Sequence, residues 1–332
     1  MGQPVVFQHL VHHGGLIITQ KIPISRILII IFLFFLGLVS VAIATFFLSI
    51  NYSEDVPDIS SYELDLTEIR ALATSSGDSL PTHINNVLIA KAEFIRGQVI
   101  SGGWMDPYTF HFSTFQLVYP DSSSIIIDPV HNKTAHETMF PEQPFFQKRF
   151  QESQAAMRSA KLILSTHEHF DHVGGIISAS HFNEIHQKAL LSQEQRSALL
   201  NDAEVLSLFP DNDIQSIPFI EYDKYHAVAP GVVLIKAPGH TPGSQMIFVK
   251  RQDGKEFLFV GDVVWSMDNI LTMTSRPLFS TFFGNEDAAQ VANQIKTLNS
   301  LMNDAELHII VAHDGARRKA DLDNKLYWEG LQ

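Results

Sequence analysis

The chain contains no cysteine. That absence excludes disulfides, thiolate metal ligands and a cysteine nucleophile, while leaving the compartment open. Basic residues are scarce as well: 23 lysines and arginines stand against 36 aspartates and glutamates, for a formal net charge of −13. A nucleic-acid partner is therefore not expected, because phosphate contacts dominate such affinity and require basic surface. Acidic residues are missing before Glu54, and no charge of either sign occurs from Ile27 to Ile50. Internal repeats and low-complexity tracts are absent too. The length of 332 residues allows one large domain or two small ones with a real core.

The uncharged run Ile27 to Ile50, "ILIIIFLFFLGLVSVAIATFFLSI", reads as a transmembrane anchor. At about 1.5 Å per residue it crosses a hydrocarbon core of about 30 Å with some tilt. Lys21 and Arg26 precede it, whereas Glu54, Asp55, Asp58, Glu63, Asp65 and Glu68 follow before the first basic residue, Arg70. The bias favours a cytoplasmic N-terminus and a body outside the cytoplasm, periplasmic in a bacterium. Ala42 to Ala44 has the small-x-small form of a signal cleavage site, so secretion after cleavage is the alternative. Phe46, Phe47 and Leu48 prolong the run and suit an uncleaved anchor better. His9, His12 and His13 lie in the short tail, residues 1–26, and read as incidental.

Residues 51–85 are polar and punctuated by Pro57, Gly77 and Pro81, as in a linker or irregular extension. Beyond them strands alternate with helices. Tyr108 to Pro129 reads as two strands around "PDSSS", and "KLILST" as a short buried strand after the helix "QPFFQKRFQESQAAMRSA". "SQEQRSALL" reads as a helix, and "SQMIFVKRQDGKEFLFVGD" as a hairpin turning at Asp253-Gly254. In "NEDAAQVANQIKTLNSLMN", Asn285 is the expected cap of a helix with apolar positions at helical spacing. Paired strands mixed with single helices predict sheets covered by helices.

Directly after "KLIL", the stretch "STHEHFDHVGG" gathers His167, Glu168, His169, Asp171 and His172. Residues two apart in extended chain point the same way, so His167, His169 and Asp171 are expected to converge, with His172 turned toward a second site. "VGG" lets the backbone turn away tightly. Imidazole and carboxylate ligands suit zinc, with iron or manganese also possible. Two divalent ions need further ligands at strand ends, and His240 in "APGHTPGS", Asp262 in "FLFVGD" and His313 in "LHIIVAHD" supply them. Glu168 reads as a solvated carboxylate and Phe170 as a core aromatic. His181, His186, His226 and His308 read as surface or satisfied histidines.

In this order, "THEHFDHVGG", "PGHTPGS", "VGD" and "VAHD" resemble the metallo-beta-lactamase-fold hydrolases, across residues 86–332. The resemblance implies an α/β (α+β) fold, a four-layer αββα sandwich here preceded by the anchor, with a dinuclear site at one edge of the sheets. It implies one ion on His167, His169 and His240, and another on Asp171, His172 and His313, with Asp262 bridging. Asp171 is the implied catalytic residue, orienting the nucleophile. Asp128, after "SIII", matches a strand-end aspartate that supports the site from behind.

Two close divalent ions supply hydroxide near neutral pH, so the expected reaction is attack on the carbonyl of a small-molecule ester, lactone or thioester. Asp262 argues against a true beta-lactamase, and the acidic charge argues against a phosphodiesterase acting on nucleic acid. True beta-lactamase or phosphodiesterase activity on the same fold, and a non-catalytic membrane-tethered binding or sensory protein, stand as the alternatives. The acyl-homoserine lactonases of the fold share the motifs but often carry tyrosine three residues after the bridge, where this chain has Trp265. Trp265, Phe282 and Phe283 are candidate substrate-pocket residues. Arg276, in the same run, is expected at the surface.

Overall fold

The structure is a computed structural model that describes residues 23–209 and 213–332. The histidines of the N-terminal tail, His9, His12 and His13, lie outside the described residues. The chain divides into two compact units, Met1–Ser49 and Ile50–Gln332. The described part of the first is a single helix, Ile24–Asn51, which runs on into the opening residues of the second. It is long and apolar enough to cross a membrane.

Among the described residues, the second unit is built on two sheets. One has seven strands, in the order β12-β1-β2-β3-β4-β5-β6. These are β1 His83–Ile95, β2 Pro107–Val118, β3 Ser124–Ile127, β4 Leu162–Leu164, β5 Ala189–Ser192, β6 Phe219–Ile220 and β12 Trp328–Glu329. The other has five, in the order β11-β10-β9-β8-β7. These are β7 Tyr225–Ala229, β8 Val232–Lys236, β9 Gln245–Lys250, β10 Glu256–Phe259 and β11 Leu307–Ile310.

Side-chain alternation explains the layering, since successive strand residues face opposite sides of a sheet. Ile125 and Ile127 pack between the sheets against Val232, Leu234, Ile247 and Phe259. Ile126, between them, faces the other way, into a cluster with Met157, Val173 and Ile176 from helices Gln147–Ser159 and Phe170–Ile177. Val233 and Ile235 likewise turn outward onto Val291, Ile295 and Leu298 of the helix Ala288–Leu301. The expected αββα sandwich is the result.

Two local expectations are corrected. Residues 51–85 are not merely a linker: a helix, Leu66–Ala73, forms within them and buries Ile69 and Ala73 in the outer core of the five-stranded sheet. Asp65 caps it by accepting from the backbone N–H groups of Thr67 and Glu68. Arg70 then reaches Glu256 and Asp304, the latter at 2.7 Å. The polar residues on either side concealed a helix of only two turns. The cap of Ala288–Leu301 is Asp287 rather than Asn285, its carboxylate accepting from Gln290 N.

Because Ile69 is fully buried, Ile69→Ala is expected to lower the stability of the folded body by about 2–5 kcal/mol. Chemical denaturation checks this; a true linker would show no change.

Candidate metal centre

The expected ligands lie at the ends of strands from both sheets, where apolar segments hand over to loops. Asp128 follows β3, His167 and His169 follow β4, His240 follows β8, Asp262 follows β10 and His313 follows β11. The extended geometry expected for "HEHFDH" holds only for its first half. A helix starts at Phe170, so Asp171 and His172 sit in its first turn. They present their donor atoms beside His313 rather than beside His169 and His240, although the His172 ring centroid stays 4.0 Å from that of His167. Gly174 and Gly175 lie inside that helix rather than in a turn. A Cβ on either would meet His131 or Pro129 at under 3 Å, so they permit close packing.

The side chains form two groups that share one residue. His167, His169, His240 and Asp262 make the first; Asp171, His172, Asp262 and His313 make the second. In each, one donor atom per residue lies within 4.8 Å of all the others. His169 Nδ1 stands 3.0 Å from His167 Nε2 and 3.1 Å from His240 Nε2. His172 Nε2 stands 3.3 Å from His313 Nε2, which is 3.0 Å from Asp262 Oδ1.

The surrounding partners decide which ring nitrogens face inward. His172 Nδ1 lies 3.1 Å from Asp128 Oδ2, His240 Nδ1 lies 3.1 Å from Glu286 Oε2, and His313 Nδ1 lies 3.1 Å from the His111 carbonyl. A carboxylate or carbonyl oxygen only accepts, so each Nδ1 carries a proton, and each Nε2 turns a lone pair to the centre when its ring is neutral. Against the effect of burial, Asp128 and Asp171 hold His172 above its usual pKa and Asp262 does the same for His313, so there a cation takes the place of the second proton. Several lone pairs aimed at one point repel unless a cation lies among them. Asp262 Oδ1 is buried and makes no conventional hydrogen bond. Burial pushes His167 well below its usual pKa and His169 down to about 4, which keeps both rings in the neutral, ligating form. The donor set thus fits two divalent cations of the borderline type that zinc exemplifies.

Asp128 holds the backbone around this centre. Its Oδ1 accepts from Thr166 N at 2.7 Å, while Oδ2 faces His172. Glu168 is not solvated as expected; it is 5% exposed and accepts from Thr241 Oγ1 at 3.0 Å and Gly243 N at 3.3 Å. It therefore ties the loop of His167 and His169 to the loop of His240, and burial pushes its pKa up to about 7. Arg276 is not a surface residue either. Fully buried, it pairs with Glu286, donates to the Val263 carbonyl and lies 4.6 Å above the Trp265 ring. Glu286 went unread in the sequence, because a lone glutamate after a loop asparagine has no spacing signature. Among the described residues, His181, His186, His226 and His308 join neither group.

A cavity of about 550 Å³ opens on His169, Asp171 and His240, with Trp265, Phe170, Met139 and Phe283 among its walls. Of the three candidate pocket residues, Trp265 and Phe283 line this cavity, whereas Phe282 is 80% exposed and outside the lining. Trp265 Nε1 donates to Asp262 Oδ2 at 2.8 Å.

The model of the metallo-beta-lactamase superfamily matches residues 158–313, a span that holds every expected ligand. Among solved structures, a quorum-quenching N-acyl homoserine lactone lactonase superposes with a TM-score of 0.59, over 73% of this chain and 96% of that one, at 17% identity. The chain has the metallo-beta-lactamase fold. A second solved structure, an N-acyl homoserine lactone hydrolase with N-hexanoyl-L-homoserine at its catalytic metal centre, covers the same shares with a TM-score of 0.58. An N-acyl homoserine lactonase of Bacillus cereus is 25% identical over 219 residues, 61% of this chain and 81% of that protein. One from Bacillus thuringiensis is 25% identical over 161 residues, 57% of its length. These similarities support a metal-dependent hydrolase rather than a non-catalytic binding protein.

Beside the second group, His131 and His136 form a buried pair, Nε2 to Nδ1, at 3.0 Å. Burial holds His131 well below its usual pKa, so its contribution to stability is complete above about pH 6.5 and is lost as pH falls. His131→Asn is expected to flatten the fall in stability between pH 7.5 and 5.5, by at most about 1.4 kcal/mol per pH unit. Denaturation at several pH values checks it. Asp128→Asn is expected to weaken zinc binding by about 10–100-fold, read by chelator competition.

Proposed function

We propose that the chain is a membrane-anchored hydrolase with a dinuclear metal centre that opens lactones bearing an acyl chain. The observation that carries this is the pair of donor groups sharing Asp262, with outer partners that turn imidazole lone pairs inward. In this reading His167, His169 and His240 would hold one ion and Asp171, His172 and His313 the other, with Asp262 common to both donor groups. When bound, such ions lower the pKa of water to furnish a hydroxide and polarise the substrate carbonyl.

The chain's own residues do the rest. Asp171 lies on the cavity wall, where its carboxylate would orient the nucleophile, take the proton that the attacking oxygen gives up and return it to the departing ring oxygen. Trp265 has only one N–H to donate, and Asp262 takes it, so the indole fixes the bridging carboxylate instead of acting as an acid. Met139, Phe170, Leu208 and Phe283 give the cavity an apolar wall suited to an acyl chain. The similar lactonases support a lactone as the bond opened. Residues 86–332, together with the helix Leu66–Ala73, form the hydrolase body. Helix Ile24–Asn51 anchors it, with the N-terminus cytoplasmic and the body outside; secretion after cleavage remains the alternative.

The test is hydrolysis of acyl-homoserine lactones of graded chain length, alongside simple esters and thioesters, by the zinc-loaded full chain in detergent. Lactones should be preferred, with kcat/KM rising with acyl length. Asp171→Asn should lower kcat by about 10²–10⁴-fold, and His169→Ala should abolish turnover. Equal rates for wild type and both variants would contradict the proposal.

A further inference from the structure

The segment between Asp262 and the helix Ala288–Leu301 carries the cavity wall, and it also exposes a run of large apolar side chains. Leu271 is 53% exposed, Met273 42%, Leu278 48%, Phe282 80% and Phe283 72%. The neighbouring loop adds Met105 at 49%. Hydrogen bonds hold the two segments together: Ser101 N donates to the Ser275 carbonyl at 3.1 Å, and Ser280 Oγ donates to the Gln98 carbonyl. A patch of this kind is unusual on a free surface and marks a place where something apolar docks.

The start of the body shows what that is. Ile50, the first residue of this unit, is fully buried, and its carbonyl accepts from Gly102 N at 3.3 Å. Two residues on, the Tyr52 carbonyl accepts from Leu278 N at 2.7 Å, and Ser53 bridges to Pro277. The chain therefore enters the body at this patch, directly from an apolar helix of membrane-spanning length. Along the chain, Tyr52 and Ser53, which make these backbone contacts with Leu278 and Pro277, directly follow the end of that helix.

We propose that this apolar rim beds in the headgroup and upper acyl region of a lipid bilayer, so that the cavity beside Phe283 opens at the membrane surface. The inference rests on the reading of Ile24–Asn51 as a membrane anchor. It commits to lipid as the occupant. With the chain's net charge at −13, apolar insertion rather than attraction to anionic headgroups is the driving force, and added salt should not release it. A substrate with a long acyl tail would reach the site from the leaflet rather than from bulk water.

The absence of cysteine makes the test clean. Single-cysteine variants of the full chain, Gly37→Cys, Phe282→Cys and Asp78→Cys, are labelled with an environment-sensitive fluorophore and reconstituted into phosphatidylcholine vesicles. Gly37 has open space around its Cβ position, and Asp78 lies by the start of β3, the end opposite Asp128. Brominated acyl chains should quench the labels at 37 and 282 several-fold more than the label at 78, with and without added salt. If only the label at 37 is quenched, the anchor stands and the bedded rim is wrong. If neither is quenched, the anchor reading fails and the proposal with it. If the label at 282 is shielded from aqueous iodide but not reached by bromolipid, another protein surface covers the rim and lipid is overturned as its occupant.

Discussion

The organisation of the body turns on a repulsion. Imidazole nitrogens from four chain segments aim lone pairs at a space only a few ångströms across, between the carboxylates of Asp171 and Asp262. Such an arrangement is unfavourable unless cations occupy it, so the fold must force it. Two sheets packed face to face do this, because β3, β4, β8, β10 and β11 all deliver their following loops to one edge. Asp128, Glu286 and the His111 carbonyl then lock three of the rings, each accepting from the proton on the outer nitrogen.

This dependence explains details that otherwise look unrelated. Gly261 adopts φ +53, and a Cβ there would meet Thr166 at 2.7 Å, so the strand end can deliver Asp262 only with glycine before it. Thr166 in turn is fixed by Asp128. The segment 271–286 serves the site twice over. Arg276 and Glu286 brace His240 from behind, while Phe283 walls the cavity and its exposed neighbours form the apolar rim. A disturbance of the rim is therefore coupled to the geometry of one ligand.

Much of this was legible in the sequence, for physical reasons. Strand ends announce themselves when an apolar run stops at a histidine or aspartate, as at "KLIL", "FLFVGD" and "LHIIVAHD". The hairpin at Asp253-Gly254 and the β2–β3 turn followed from turn chemistry. What escaped depends on tertiary partners. Glu168 has the composition of a solvated residue, and only Thr241 and Gly243, over seventy positions away, make it a buried clasp. Arg276 looked like surface until Glu286 and Trp265 enclosed it. The helix Leu66–Ala73 is only two turns long and lies within a polar stretch, so it does not declare itself without the core it covers.

The central claim is that the two donor groups hold two ions sharing Asp262. Elemental analysis of the full chain, purified after exposure to zinc and exhaustive dialysis, tests it most directly. About two zinc ions per wild-type chain are expected, with His313→Ala retaining about one and Asp262→Ala fewer than wild type. A wild-type chain that binds no zinc, or variants that bind as much as wild type, would contradict the account.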